Sequence, residues 1–243
     1  MVASIFLVGG VLGRVLSGRY ADYIGLKRIA FAALIVQLVA CALYFIDGLG
    51  VGFLLMVRLL HGLSFGVTNT VLPAMAVVAL PSGRVGEGTG YFMLSSSLGT
   101  GIGPIMGLVV TAGIDYRVLF IICTALTMIA MGATLAVSRP DVKRAPKPGH
   151  FKISSVIDLS TVKFSVFMFL VALSYSSLNA FLSSYAISMG MGVYAPLTFV
   201  VYSVMLVLTR PITGKIMDRF GENAVLYPSI ASMAVGLLLA AAA

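Results

Sequence analysis

Eight apolar runs, each close to the length that crosses a bilayer as a helix, take up most of this chain. They fall near residues 1 to 18, 28 to 46, 50 to 79, 87 to 112, 117 to 138, 163 to 189, 193 to 213 and 223 to 243. About 20 apolar residues in a helix cover the hydrocarbon thickness of a membrane. The alternating pattern of outer-membrane strands is absent, so the spans read as helices. Only 10% of residues are charged while 60% are hydrophobic, against roughly 25% charged in a soluble domain. With so few polar side chains a water-soluble fold would expose large apolar patches. The sequence therefore reads as an all-α membrane protein with the lipid bilayer as its solvent, in line with a mean hydropathy of +1.08.

The net charge of +8 does not point to nucleic acid, because the basic residues sit in short loops between apolar runs and form no soluble basic face. They alternate in sidedness. Arg19, Lys27, Arg28, Arg84, Arg139, Lys143, Arg144, Lys147, Lys152, Lys163, Lys215 and Arg219 fall on one side, and only Arg117 on the other. Lys and Arg are retained in cytoplasmic loops, so the richer side is expected to face the cytoplasm. The longest polar interval, Ser138 to Lys163, carries three prolines and six basic residues and cannot span. It is expected to be a cytoplasmic linker at 139–162, with Asp158 and Lys163 able to open a short interfacial helix, between regions 1–138 and 163–243. Cys41 and Cys123 lie inside apolar runs with no second Cys or His at ligand spacing; they read as small core hydrophobes, and no metal or cofactor is expected.

The most informative break in the apolar pattern is RVLSGRYADYIGLKR, Arg14 to Arg28, because it recurs. Arg14, Gly18, Arg19, Asp22 and Gly25 find Arg210, Gly214, Lys215, Asp218 and Gly221 at one constant offset of 196 residues. Five matches without a gap mark a duplicated architecture. The first copy follows the first visible span and the second follows the seventh, so the repeat unit holds six spans. On that count about eight helices of an expected twelve are present, helices two to nine, and the chain lacks one at its start and about three at its end.

These residues resemble the major facilitator superfamily over essentially the whole chain. Gly18, Asp22, Gly25, Lys27 and Arg28 resemble its loop motif G-x-x-x-D-R-x-G-R-[RK] between the second and third helices, with Tyr23 and Leu26 in place of two arginines. The second copy keeps Gly214, Asp218, Arg219 and Gly221 but has Glu222 and Asn223 where basic residues are usual. Arg58, Gly62 and Gly66 resemble the fourth-helix R-x-x-x-G motif, with His61 in a place usually held by Gln. Gly99, Gly103, Pro104 and Gly107 resemble the fifth-helix G-x-x-x-G-P-x-x-G motif of proton-coupled exporters. The resemblance implies a helical bundle of that superfamily, in which Arg58 belongs to the coupling machinery.

An alternating transporter needs a contact on one side that is stable yet breakable. Asp22 is the candidate, a carboxylate at a helix end held by arginine or by the amino terminus of a neighbouring helix. Gly18 would let helices approach, and Lys27 and Arg28 would anchor the loop at the membrane surface; charges that merely set topology are the competing reading. Arg58, roughly midway along its segment, is costly in lipid and should face an interior or a watery cavity, or else snorkel. Gly99, Gly103 and Gly107 share one face and would let backbones touch, with Pro104 bending the helix: a seam between two halves, a packing face, or both. Tyr175, Asn179 and Ser183 share a helix face, and with Asn69 and Tyr202 they are candidate substrate contacts, interhelical hydrogen bonding being the alternative.

No Asp or Glu lies well inside a visible span, so a proton-carrying carboxylate is expected outside this chain. No catalytic or metal constellation is evident, and an enzyme is not expected. The expected activity is proton-coupled efflux of a small organic molecule by alternating access, probed against uptake of a sugar or metabolite by the same fold and against a non-transporting sensor or scaffold. The expected partners are a small-molecule substrate, lipid and protons, for a monomer in the inner (plasma) membrane.

Overall fold

The computed structural model describes residues 2–46, 48–113, 115–137, 159–190 and 195–242, and within these ranges a number of side chains, those of Pro104, Asn179 and Ser183 among them, lie outside the description. Eight α helices occur among the described residues: α1 (Val2–Ile24), α2 (Leu26–Leu43), α3 (Gly50–Ala79), α4 (Val85–Gly113), α5 (Tyr116–Ala136), α6 (Leu159–Ser188), α7 (Ala195–Phe220) and α8 (Asn223–Ala242), with a 3-10 turn at Ser82–Arg84 before α4. No strand is found among the described residues. Stretches in α2, α3, α5, α7 and α8 are long and apolar enough to cross a membrane. Of the linker expected at 139–162, residues 139–158 lie outside the described residues, and the last four belong to α6.

The helices run further than hydropathy suggests. α1 continues through Arg14, Arg19 and Asp22 and stops only at Gly25, whose φ of 103° an L side chain would strain. Likewise α7 continues through Lys215 and Arg219 to Gly221, with φ 84°. Charged residues mark the edge of the apolar stretch and not the end of the helix, since Arg, Lys and Asp are tolerated in a helical backbone. Pro81, extended at ψ 139°, leads into the turn before α4, and the Asp115 carboxylate caps α5 by accepting from the Arg117 amide at 3.2 Å.

The residues form two compact units, Met1–Leu72 with Val109–Val201, and Pro73–Leu108 with Tyr202–Ala243. In the first, α2 packs along α5 and α1 against α2. Most of its buried apolar residues are small, Ala21, Ala30, Ala33, Ala40, Val57 and Val71 among them, with Leu26 and Leu34 the large exceptions. Large apolar side chains point outward, Leu7 and Ile129 each 67% exposed. A soluble protein sorts its residues the other way; here the outside is hydrocarbon, and small residues let helices come close. Glycines carry this furthest between α1 and α3, where a Cβ on Gly62 or Gly66 would overlap the backbone of Phe6 or Gly10, and one on Gly9 or Gly13 the carbonyl of Leu59 or Leu63. Buried hydroxyls are satisfied within their own helices: Ser64 donates to the His61 carbonyl at 2.8 Å, Thr127 to Cys123 at 2.8 Å and Thr134 to Ala130 at 2.8 Å. In the second unit α4 meets α7, and the site lies there.

Candidate functional site

Both copies of the repeated stretch fold into the same turn. The amide of Gly25 donates to the Ala21 carbonyl at 2.8 Å, and that of Gly221 to Met217 at 2.9 Å, so the helix closes its last hydrogen bond on a glycine of positive φ before the next helix starts. In each copy the carboxylate sits three residues before that glycine, in the last turn of the helix.

In the second copy the carboxylate is engaged. Asp218 accepts from the backbone N–H of Gly86 at 2.6 Å through Oδ1 and of Glu87 at 2.7 Å through Oδ2. These are first-turn amides of α4, which have no carbonyl partner within their own helix and lie at its positive end. The approach that permits this is made by glycines on both helices. A Cβ on Gly214 would stand 2.5 Å from the Gly86 carbonyl oxygen, and one on Gly90 would stand 2.7 Å from the Arg210 carbonyl oxygen. Further along α4, a Cβ on Gly101 would stand 3.1 Å from the Ser203 hydroxyl of α7.

Charges surround the contact. Glu87 binds Arg84 at 2.7 Å and lies 3.6 Å from Lys215 of α7. The Arg84 hydrogen bond, aided by the charges of Arg84 and Lys215, holds the Glu87 carboxyl below its usual range against a smaller effect of burial, and Glu87 raises Arg84 in return. Both residues precede the apolar part of α4, which starts at Tyr91. With Gly83, Asp218 and Arg219, these groups line an open cavity of about 380 Å³. Arg219 points elsewhere in part, its guanidinium 5.2 Å from the Phe220 ring.

The first copy differs. Asp22 is exposed and makes no hydrogen bond or ion pair with any described residue, and no described atom lies within 4 Å of a Cβ on Gly18. Lys27 was expected, with Arg28, to anchor the loop to the cytoplasmic surface. Its ammonium donates to the carbonyls of Leu135, at 2.8 Å, and Val137, closing the carboxyl end of α5 from the first turn of α2. Arg28 is exposed.

Arg58 lies eight residues after Gly50 in a 30-residue helix, about 12 Å from that end, and not midway. Its Nε is buried without a hydrogen-bond partner, and its guanidinium stands 5.6 Å from the Tyr44 ring. On α4, Gly99, Gly103 and Gly107 have no described atom within 4 Å of an added Cβ; the close approaches fall on Gly86, Gly90 and Gly101 instead. Asn69 donates to the Phe65 carbonyl of its own helix at 3.2 Å, Tyr175 is 41% and Tyr202 37% exposed, and Asn179 and Ser183 fall outside the described side chains. Gly86, Gly90 and Tyr44 escaped sequence reasoning. The glycines had a signal, GEGTG at the head of α4, whereas Tyr44 had none.

The chain thus has eight helices among the described residues, five with apolar spans, together with small-residue packing and a twinned helix–glycine–helix device, and a family model described as the Major Facilitator Superfamily matches residues 1–243. The chain belongs to the Major Facilitator Superfamily and is a multi-pass membrane protein of its secondary-transporter type.

Proposed function

We propose that this protein is a proton-coupled exporter that moves a small, amphipathic organic molecule outward across the inner (plasma) membrane, as a monomer and without enzymatic chemistry. The twinned turns and the 139–162 linker face the cytoplasm, a sidedness supported by the one-sided Lys and Arg content of the loops. Residues 1–138 and 163–243 act as two bundles, so the contact between α4 and α7 joins one to the other. The observation that carries the reading is Asp218 on the Gly86 and Glu87 amides. A carboxylate on a helix amino terminus holds by a few hydrogen bonds and no apolar surface, and it releases without exposing hydrocarbon. Asp22 is the corresponding carboxylate of the first copy, presented by the same turn but unengaged among the described residues. The Gly99, Gly103, Pro104 and Gly107 pattern supports export over uptake, and Arg58 supplies the buried cation of the coupling machinery.

The test uses the full chain in liposomes loaded with a pH-sensitive dye, with an imposed pH difference. The wild type should move protons when ethidium is added as the probe substrate, and D218N and D22N should change that rate. Accumulation of a labelled sugar analogue with no ethidium-linked proton movement would replace export by uptake. Silence towards both probes, with a native melting profile, would favour a sensor or scaffold.

A further inference from the structure

One cluster in the first unit draws residues outside the motifs, Phe6, Tyr44 and Phe120, to Arg58 and His61 and so ties four helices together. Tyr44 closes α2 as its C-cap. Its ring lies 5.6 Å from the Arg58 guanidinium of α3, stacks on Phe120 of α5 at 4.8 Å and 14°, and its hydroxyl lies 3.3 Å from Nδ1 of His61. His61 in turn meets Phe6 of α1 edge-on, at 5.5 Å and 85°.

We propose that Tyr44 and His61 are positioning residues that set the orientation of Arg58, Tyr44 through the face of its ring and His61 by fixing the Tyr44 hydroxyl. The buried Arg58 Nε has no hydrogen-bond partner, so the ring is the described contact that holds the guanidinium, and a cation over an aromatic face gains most where water is excluded. A residue at the end of α2 has no following helical turn to confine its side chain. The stack on Phe120 restrains tilt, and the hydroxyl bond to His61 restrains rotation about the stack. His61 is fixed because it lies three residues after Arg58, on nearly the same face of α3, with Phe6 against its edge. Leu at 61 would fill the volume but offer Tyr44 no partner, whereas Gln offers a polar atom at similar reach.

The functional consequence rests on Arg58 being part of the coupling machinery; the geometry of the seat does not, and its test requires no substrate. The full chain in liposomes is treated with phenylglyoxal, and modification of each arginine is followed by peptide mass spectrometry. Arg58 should react about tenfold faster in Y44L than in the wild type, a change of about 1.4 kcal/mol. Y44F and H61L should each give about threefold, H61Q should stay within twofold of the wild type, and Arg84 and Arg117 should be unchanged throughout. Rates in Y44L and H61L within twofold of wild type overturn the proposal, and so does H61Q reacting as fast as H61L, which would make His61 a packing residue only. Should Y44L not fold, Y44F and the H61L and H61Q pair decide. A loss of proton coupling in the liposome assay with this rate pattern intact leaves the seat standing and removes only its role.

Discussion

Replacing Asp218 by Asn tests the α4–α7 contact at the carboxylate that binds the head of α4. The carboxylate now accepts from two free amides of α4, at 2.6 and 2.7 Å. Asn keeps one acceptor oxygen, turns an NH2 group towards the second amide, and removes the negative charge from the positive end of the helix. Losing a capping acceptor costs about 0.5–2 kcal/mol, and the charge at an exposed helix terminus about 0.3–1 kcal/mol. The cavity is open to water, so the lower half of each range applies, giving about 1.4 kcal/mol, or tenfold in the open-to-closed ratio. Met217 reports that ratio, since its Cε would stand 2.8 Å from a Cβ on Gly86. In a background lacking Cys41 and Cys123, M217C should react with a maleimide about tenfold faster when Asp218 is Asn. A difference below twofold would mean that the glycine packing, and not the carboxylate, holds the two helices together.

The remaining predictions separate backbone fit from charge. G214A drives a methyl into the Gly86 carbonyl and should cost about 1–3 kcal/mol, whereas G18A meets no described atom within 4 Å and should raise the thermal midpoint slightly, Ala being favoured over Gly in a helix by about 1 kcal/mol; equal effects would refute the difference between the copies. K27M removes the donor to the Leu135 and Val137 carbonyls and should speed amide exchange in the last turn of α5, with little effect on its middle. Glu87 is held below its ordinary value of 4.5 first by the Arg84 hydrogen bond. Its contribution is therefore fully present above about pH 4.5 and lost as pH falls through the lowered folded value. The gap in thermal midpoint between wild type and E87Q should be constant above that pH and close below it; a gap that widens on acidification would contradict the ion pair.

Hydropathy located the eight helices because a span must hide its backbone polar groups in a continuous apolar helix. It misjudged the ends of α1 and α7, because Arg14 to Asp22 and Arg210 to Arg219 leave lipid without leaving the helix. The 196-residue repeat was legible as a device, and glycine at its close was legible as a turn, since only positive φ requires glycine at that place in both copies. The partner of Asp218 was not, because the amides it binds are 131 and 132 residues away and carry no side-chain signature. The Gly99, Gly103 and Gly107 stripe was legible as a stripe, Gly86 and Gly90 were not singled out, and spacing alone does not say which glycines face a neighbour. Gly86 and Gly90 face α7; no described atom lies within 4 Å of a Cβ added to Gly99, Gly103 or Gly107.

The two copies therefore share a backbone and differ in what the backbone is used for. Gly25 and Gly221 fold alike, and in each the carboxylate is delivered three residues earlier to the last turn of a helix. What makes Asp218 an acceptor is a helix start brought within reach by Gly86, Gly90 and Gly214, where no Cβ stands between the chains. Gly18 occupies the place of Gly214 with no described atom near it, and Asp22 is exposed. The repeated residues encode the presentation of a charge, while the glycines of the opposing helix decide whether that charge is bound. A substitution on α4 at Gly86 or Gly90 should thus disable Asp218 as completely as changing Asp218 itself, although neither glycine belongs to the repeat.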